Sequence, residues 1–470
     1  MVRLPSWGCI SMSVISKLTM LGAAGTGGSS GWGLEMAPTS PNVGGAYLKA
    51  VIEKSDGSFV ATGGSTVADV ITITFNADGT VSSFYKIADG TGSSSTGIYA
   101  STLCEDVNND IWLGGYWYSN NQATGEAAWF TRTDDGDPYT SASGYYGPNS
   151  RGGDMSIDYD PAGQKIYTVF SGYDGSRITG QVQKFNLAGT RQWPYSINWN
   201  QNNFIRYAHW EANSLIPGYG GNFLVGMTTT INGSVGHYAH DLAKINENGS
   251  LEAVYRSTSS TTNSGSGEGQ SIASDTSFIY DIGYAEDTSL GSGHNNMHIR
   301  KINKATGALT WERFYLNKIG STYHQSEGRA IAVDSDGNVY AISNHGGGNN
   351  HDVVWKFNSS GTLQWAIRIG KTSYGNALDA LTVGSDGFVY AGGYTASASN
   401  NNIIMFKIPP NGIAAGTYGD YEVSIPSYGQ ATGFLTYSDN GGSLGSGSTS
   451  NVTLSGSGNT VSSTNTLTDL

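Results

Sequence analysis

Two histidine pairs are the first residues whose spacing could support chemistry. His237 and His240 lie three residues apart, and His294 and His298 lie four apart. Histidines at i and i+4 converge on one metal ion when they share one face of a helix. Both pairs stand instead in loop-like sequence that leads into strand-like sequence. The sequence therefore predicts no metal site.

Carboxylates recur in short glycine turns, as in Ser335-Asp336-Gly337 and Ser385-Asp386-Gly387. Their spacing differs from the sialidase Asp box, Ser-x-Asp-x-Gly-x-Thr-Trp, and the tryptophan is missing. Asp334 to Asn338 resembles part of a calcium loop but lacks the bidentate glutamate of an EF-hand. Glycine adopts positive φ freely and aspartate tolerates it, so we interpret these aspartates as hairpin residues. Because the chain also lacks a Gly-x-Ser-x-Gly elbow and a phosphate loop, the sequence predicts no catalytic residue, no cofactor and a non-enzymatic protein.

Aromatic residues interleaved with Asn and Gln form the best candidate binding surface. Aromatic faces suit the apolar C–H faces of sugar rings, and amides suit their hydroxyls; the same loops could dock a neighbouring subunit. We place them in long loops between strands. The candidate binding residues are Trp117, Tyr118, Tyr145, Tyr146, Trp199, Tyr207 and Trp210.

A repeat of strand-like phrases must position these loops. One turn glycine marks its period, with successive intervals of 57, 53, 60, 58, 54 and 51 residues, at Gly79, Gly136, Gly189, Gly249, Gly307, Gly361 and Gly412. A period of this size indicates a repeat architecture. In the sixth unit we expect strands over 329–333, 339–343, 353–358 and 363–369. Four strands per unit predict an all-β fold, a seven-bladed β-propeller over residues 46–424 that forms one large domain.

The two ends differ from the repeats. Residues 1–45 read as an N-terminal arm with a Gly-rich linker, and either Met1 or Met12 is the true start. Residues 425–470 are a Gly/Ser/Thr-rich tail, which we expect to be disordered in the isolated protein. Deleting either end should abolish assembly and leave the propeller folded. The strand that closes the ring comes from residues 425–437 or from the strand near Ala46.

Charge, cysteine content and hydropathy exclude several classes of protein. The net charge is −13, with 37 acidic against 24 basic residues and no basic stripe, which argues against nucleic acid as a partner. Cys9 and Cys104 alone cannot form a disulfide framework. The sequence contains no run of about 18 apolar residues and therefore predicts no membrane insertion. The first residues are a poor secretory signal.

Two resemblances suggest a function. The phrases Ile331 to Tyr340 and Lys356 to Trp365 resemble the bacterial β-propeller repeat called SBBP. The segment Met12 to Leu18 with its Gly-Ala-Gly continuation, together with the Leu-Thr and Ser-Leu phrases of the C-terminus, looks like virion structural proteins of marine tailed phages. The resemblance implies a tail-associated virion protein that assembles with other virion proteins into an oligomer and contacts a cell-surface glycan. The alternative is a secreted or surface-attached bacterial propeller that binds glycans or proteins.

Overall fold

The computed structural model is built of β-strands, and its described residues contain no helix that could span a membrane. The structure describes residues 7–8, 12–20, 30–38, 45–65, 70–87, 96–119, 127–134, 137–138, 141–142, 156–160, 164–173, 178–188, 191–198, 223–230, 238–245, 251–259, 267–286, 295–319, 322–344, 351–371, 374–396, 401–431, 435–439, 448–451 and 461–462.

The chain divides into two compact units, where the sequence predicted one large repeat domain. The first unit contains Met1–Met155, Ile369–Ser424 and Ser455–Leu470, and the second contains Ser156–Arg368 and Ile425–Leu454. Each unit therefore takes residues both from the predicted repeat region and from the segments outside it.

Twelve strands are described in the first 155 residues. They are β1 (Trp7–Gly8), β2 (Met12–Met20), β3 (Gly31–Pro38), β4 (Ala46–Glu53), β5 (Phe59–Ser65), β6 (Val70–Phe75), β7 (Val81–Ile87), β8 (Thr96–Glu105), β9 (Asp110–Ser119), β10 (Ala127–Asp134), β11 (Asp137–Pro138) and β12 (Ser141–Ala142).

Sixteen described strands begin between residues 156 and 368. They are β13 (Ser156–Asp160), β14 (Lys165–Tyr173), β15 (Ile178–Asn186), β16 (Arg191–Asn198), β17 (Phe223–Thr230), β18 (Tyr238–Ile245), β19 (Leu251–Ser259), β20 (Gly267–Ser274), β21 (Phe278–Glu286), β22 (Asn295–Asn303), β23 (Leu309–Ile319), β24 (Thr322–His324), β25 (Gly328–Val333), β26 (Val339–Ser343), β27 (Val353–Phe357) and β28 (Leu363–Lys371).

Nine more described strands follow. They are β29 (Asn376–Val383), β30 (Val389–Ala396), β31 (Asn401–Ile408), β32 (Gly416–Tyr418), β33 (Tyr421–Ser424), β34 (Ser427–Ala431), β35 (Leu435–Asp439), β36 (Ser448–Asn451) and β37 (Val461–Ser462).

The sheets of the first unit combine distant parts of the chain. Their strand orders are β1-β7-β6-β5-β4, β11-β10-β9-β8 and β2-β3-β31-β30-β29, with β12 paired to β37. The hairpin β32–β33 also belongs to this unit, where Tyr421 and Asp420 contact Lys371 at the end of β28. The third of these sheets joins residues from both ends of the sequence.

The sheets of the second unit are consecutive antiparallel hairpins, and three of them gain a strand from the C-terminal segment. Strands β13 to β16 are extended by β36, strands β17 to β19 by β35, and strands β20 to β24 by β34, which pairs with β23. Strands β25 to β28 follow in chain order. Their bounds agree with the four strands predicted for the sixth repeat to within two residues.

The turn glycines confirm the repeat where the structure describes them. Gly79, Gly307, Gly361 and Gly412 all have φ between 70° and 83°. This left-handed conformation carries little cost for glycine and a steric cost for other residues. The other three glycines of the series lie outside the described residues.

Buried aromatic and aliphatic side chains form the core of each unit. Eight aromatic residues on the second and third strands of the repeats are buried, at Trp112, Tyr167, Phe185, Tyr280, Tyr340, Phe357, Tyr390 and Phe406. They are buried because side chains on both faces of these strands meet a packed neighbour.

The segments predicted to be an arm and a disordered tail contribute strands. In the first unit, Trp32, Leu34 and Met36 of β3 are 7%, 3% and 3% exposed and belong to the main hydrophobic core. Strand β3 lies beside β31 as the fourth strand of that sheet. The two segments that we considered as closing strands, residues 425–437 and the strand near Ala46, pair in other sheets.

Candidate functional site

Two of the predicted binding residues lie in a strand instead of a loop. Trp117 pairs with Ile98 and Ala127, and Tyr118 pairs with Gly97, because the β8–β9–β10 ladder continues past the expected turn. The five others, Tyr145, Tyr146, Trp199, Tyr207 and Trp210, lie outside the described residues. A binding role for these seven residues remains a prediction.

One histidine of each pair lies in the described residues. His240 lies in β18 and His298 in β22, while their sequence partners His237 and His294 fall outside the described part. His298 is completely buried, its Nε2 lies 3.3 Å from Glu312 Oε2, and its ring stacks on Phe314. Burial lowers the pKa of His298, which favours the neutral ring. The structure also brings no group of three metal-ligating side chains together in the residues that it describes.

An aspartate at the turn that precedes the second strand of a sheet holds the aromatic residue of that strand. Asp275 accepts hydrogen bonds from the backbone N–H groups of Ser277 and Phe278, both at 2.7 Å, and from the Tyr280 hydroxyl, also at 2.7 Å. Burial opposes ionisation of Asp275, but these hydrogen bonds and the charge of Lys301 lower its pKa overall. Burial and the same carboxylate raise the pKa of Tyr280.

The same aspartate–aromatic contact recurs in three other sheets. Asp106 accepts from the Trp112 indole at 2.8 Å, Asp334 from the Tyr340 hydroxyl at 3.2 Å, and Asp386 from the Tyr390 hydroxyl at 2.9 Å. In the seventh repeat, the position that corresponds to Asp334 is a glycine at 384. Asp386, two residues later, accepts the hydrogen bond from the tyrosine instead. These carboxylates therefore hold turns, as the sequence indicated for Asp386.

In two sheets, a lysine and a tryptophan donate hydrogen bonds to one backbone carbonyl in a turn of a neighbouring sheet. We call this group the Lys–Trp clasp. In the second unit, Lys301 of β22 and Trp311 of β23 donate to the Ser359 carbonyl at 2.9 and 3.2 Å. The Lys301 ammonium lies 4.0 Å from the Phe278 ring centroid and 5.2 Å from that of Tyr280. Cation–π attraction of this kind is strengthened by burial.

The clasp of the first unit is built from opposite ends of the chain. Lys407 of β31 and Trp32 of β3 both donate to the Ala77 carbonyl at 3.0 Å. The Lys407 ammonium lies 4.2 Å from the Phe388 ring centroid and 5.4 Å from that of Tyr390. The contacts match those of the second unit within a few tenths of an ångström, so β3 takes the position of a fourth repeat strand.

The turn glycines make room for the clasp. A Cβ atom added to Gly79 would meet the Trp32 ring at 3.0 Å, and one added to Gly361 would meet the Trp311 ring at 2.8 Å. At Gly79 and Gly361, both the positive φ and the nearby indole ring therefore favour glycine over any residue with a Cβ atom.

A buried carboxylate anchors β3 to the C-terminal part of the first unit. Glu35 is 2% exposed. Lys371 Nζ lies 3.1 Å from each of its oxygens, Asn402 donates to Oε1 at 2.7 Å, and the Tyr421 hydroxyl donates to Oε2 at 2.9 Å. Burial, together with the charge of Glu35, raises the pKa of Tyr421, so this phenol remains a donor. Three donor groups make four hydrogen bonds to the buried carboxylate, which suits a structural role.

Sequence reasoning missed Trp32 and Glu35 because both lie in the presumed arm. A weak signal was present. A tryptophan follows the turn glycine by four residues in three of the seven repeats, at Trp193, Trp311 and Trp365, and in the last repeat Gly416 stands at that distance. Trp32, followed by apolar residues at 34 and 36, takes that place in the structure.

Comparison with known proteins gives similarity to solved structures alone. No family model matches the chain, and no curated protein matches it. The β-propeller domain of the Trilobed protease from Pyrococcus furiosus is similar with a TM-score of 0.43 and 12% identity, over 80% of this chain and 99% of that one. Synechocystis apocarotenoid oxygenase has a TM-score of 0.40 and 12% identity, over 84% and 97%. Trypanosoma rangeli sialidase has a TM-score of 0.39 and 10% identity, over 84% of this chain and 59% of that one.

Proposed function

We propose that the chain is a seven-bladed β-propeller that serves as a non-enzymatic scaffold for protein–protein assembly. The described residues form seven sheets of four to six strands, in step with a repeat of about 55 residues. Each sheet would be one blade, and β3 would complete the blade of β29, β30 and β31. A ring of this kind is a rigid platform, because each sheet face packs on a neighbour.

The observation that supports the scaffold role is that the recurring ionisable groups make their hydrogen bonds within the fold. Asp275 and Asp386 hold tyrosines and turns, Lys301 and Lys407 hold the next sheet, and Glu35 holds β3. Groups that are committed to hydrogen bonds within the fold stabilise one conformation. These residues therefore favour a structural role over a catalytic one.

The place of this scaffold, in our proposal, is the tail region of a tailed-phage particle. The support is the resemblance of the two chain ends to virion structural proteins, together with the low charge and high glycine content of the chain. Its partners would be other virion proteins, with a cell-surface glycan as a further contact, and its location would be the virion.

Light scattering and electron microscopy of the purified full chain test this proposal. We expect a defined oligomer whose class averages show a ring with seven radial sheets. A different number of sheets, or an open arc, would contradict the propeller. A monomer at all concentrations that also fails to bind any particle protein would contradict the scaffold role.

A second candidate is a secreted or surface-attached propeller that binds glycans. The observation in its favour is the placement of Trp117 and Tyr118 in the last three residues of β9, beside the connection to β10. Glycan-array binding by the monomer that is lost in a Trp117→Ala, Tyr118→Ala double variant would favour this function.

A further inference from the structure

The connection between β33 and β34 is very short and joins the two units. Strand β33 ends at Ser424 in the first unit, and β34 begins at Ser427 in the second. Only Ile425, which is 74% exposed, and Pro426 lie between them. Short connections between elements favour exchange of the following element with a second copy of the chain.

Strand β34 is attached mainly through its backbone. It pairs with β23 in antiparallel register, from Lys318 opposite Ser427 to Phe314 opposite Ala431. Its described side chains, at Ser427, Tyr428 and Gln430, are exposed. Backbone pairing does not distinguish the strand of one copy from the same strand of another.

One side chain gives this pairing its register. The Tyr428 ring lies edge-on to Tyr315 and Trp355, with centroid distances of 5.6 and 5.7 Å. Burial, with Tyr428 in place, raises the pKa of the Tyr315 hydroxyl to about 12. A β34 strand from another copy would meet the same two rings.

The acceptor strand belongs to a sheet of consecutive hairpins. Strands β20 to β23 follow one another in the chain, and Phe314, Tyr315 and Leu316 of β23 are buried where β34 pairs with them. A sheet edge with unpaired backbone groups readily accepts a further strand. Because the same segment also supplies β35 to β19 and β36 to β16, three edges would be filled together.

We propose that residues 427–451 are exchanged between two copies of this chain, so that β34, β35 and β36 of one copy pair with β23, β19 and β16 of the other. This inference rests on the proposed scaffold role and adds its partner, a second copy. The low-complexity composition of the segment fits this use, because Gly, Ser and Thr place few side-chain demands on the acceptor.

Disulfide trapping with two single variants tests the exchange. Lys318 and Ser427 are directly opposed, so one preparation carries Lys318→Cys and the other Ser427→Cys, with Cys9 and Cys104 retained. The two are mixed, unfolded in denaturant, refolded at low and high concentration, oxidised, and mapped by mass spectrometry. Val107→Cys replaces Ser427→Cys in the control mixture, because Val107 is 54% exposed and outside the segment.

We expect a disulfide between positions 318 and 427 of different chains that increases at least tenfold from low to high concentration, with no disulfide between positions 318 and 107 in the control mixture. We also expect the full chain to have twice the monomer mass by light scattering, and a chain that lacks residues 425–470 to be a monomer. The double variant, carrying both cysteines and oxidised when dilute, should remain a monomer.

Two results would overturn the exchange. A full chain that stays monomeric at every concentration excludes it, whatever disulfides form. An oligomer that persists without residues 425–470, or that never links positions 318 and 427, also excludes it but leaves the scaffold role standing on another surface. Failure of the scaffold role itself would show as a folded chain that assembles with neither itself nor particle proteins.

Discussion

Two sheets of this molecule make the same contacts from differently connected strands. The sheet of β20 to β23 comes from one continuous stretch of chain, whereas that of β29 to β31 takes its fourth strand, β3, from the N-terminal segment. In both sheets a Lys–Trp clasp grips one carbonyl of a neighbouring turn. The position of a strand in the repeat is thus determined by its side chains and not by its place in the sequence.

The two sheets differ in the interactions that keep the fourth strand in place. A continuous sheet is held by hairpins, because a short turn keeps its strands together even when contacts weaken. The other sheet has no such connection between β31 and β3, so its pairing rests on the clasp, on core residues and on Glu35. We therefore expect perturbations of β3 to act more severely than matched perturbations of β23.

Deletion of residues 1–38 should have the largest effect. It removes Trp32, Leu34 and Met36 from the core and leaves Lys371 without the Glu35 carboxylate. We expect loss of the cooperative thermal transition measured by circular dichroism, in contrast to the arm interpretation, under which the propeller stays folded. Removal of residues 463–470, beyond the last described strand, is the control and should leave the transition unchanged. A folded truncated chain would show that β3 is dispensable.

Matched alanine substitutions of the two clasp tryptophans should rank next. Trp32 and Trp311 are 7% and 8% exposed, and removing a buried tryptophan costs about 3–5 kcal/mol of unfolding free energy. We expect both variants to lose stability in urea titrations and Trp32→Ala to lose more. Equal losses would mean that covalent continuity adds nothing to the clasp.

Replacement of Glu35 by glutamine should cost about 3 kcal/mol, because it removes one partner of a buried ion pair. The neutral amide also places a donor where Lys371, Asn402 and Tyr421 all require an acceptor. Glu422→Gln, at an exposed position on β33, is the matched control and should change stability by less than about 0.5 kcal/mol. Similar losses of unfolding free energy in the two variants would show that Glu35 does not anchor β3.

Alanine at the turn glycines separates backbone strain from ring contact. Gly57, with φ of 82°, has open space around its missing Cβ, whereas Gly79 and Gly361 face the clasp indoles. The backbone cost of about 1–2 kcal/mol should appear in all three variants. We expect a further loss in Gly79→Ala and Gly361→Ala, measured by urea unfolding. Equal losses in all three would show that the indoles move aside freely.

Much of this fold could be predicted from the sequence, because local signals determined it. The turn glycines, the four strands of the sixth repeat and the buried Tyr340 and Tyr390 follow from alternation and hairpin geometry. The assignment of Trp32 could not follow from local pattern alone, since its partner Lys407 in β31 lies more than 370 residues away. Pairing across such a distance is decided by packing, and the lack of a tryptophan after Gly412 is shared with other repeats, so it could not identify Trp32.

Lys304 provides the smallest expected difference between the two sheets, which concerns the pH dependence of the unfolding free energy. Burial lowers its pKa to about 8, against the opposing charge of Asp275, and its ammonium donates to the Asp275 carbonyl. The corresponding position beyond β31 is Pro410, which cannot titrate. The contribution of this position to the pH dependence should therefore be present in the continuous sheet and absent from the sheet that contains β3.

Between pH 8 and about 10 the unfolded chain binds a proton at Lys304 that the folded chain has released, so the unfolding free energy rises with pH. Urea unfolding at pH 7.5 and 9.5 should show this gain in the natural chain and a smaller gain in Lys304→Met, which keeps Lys301 and Lys356, whose pKa values burial also lowers. Unfolded tyrosines begin to release protons near the upper pH, and this offsets the gain equally in both chains. Lys318→Met is the control, because Lys318 lies on β23 of the same sheet. A gain that is undiminished in Lys304→Met would assign the proton to another group.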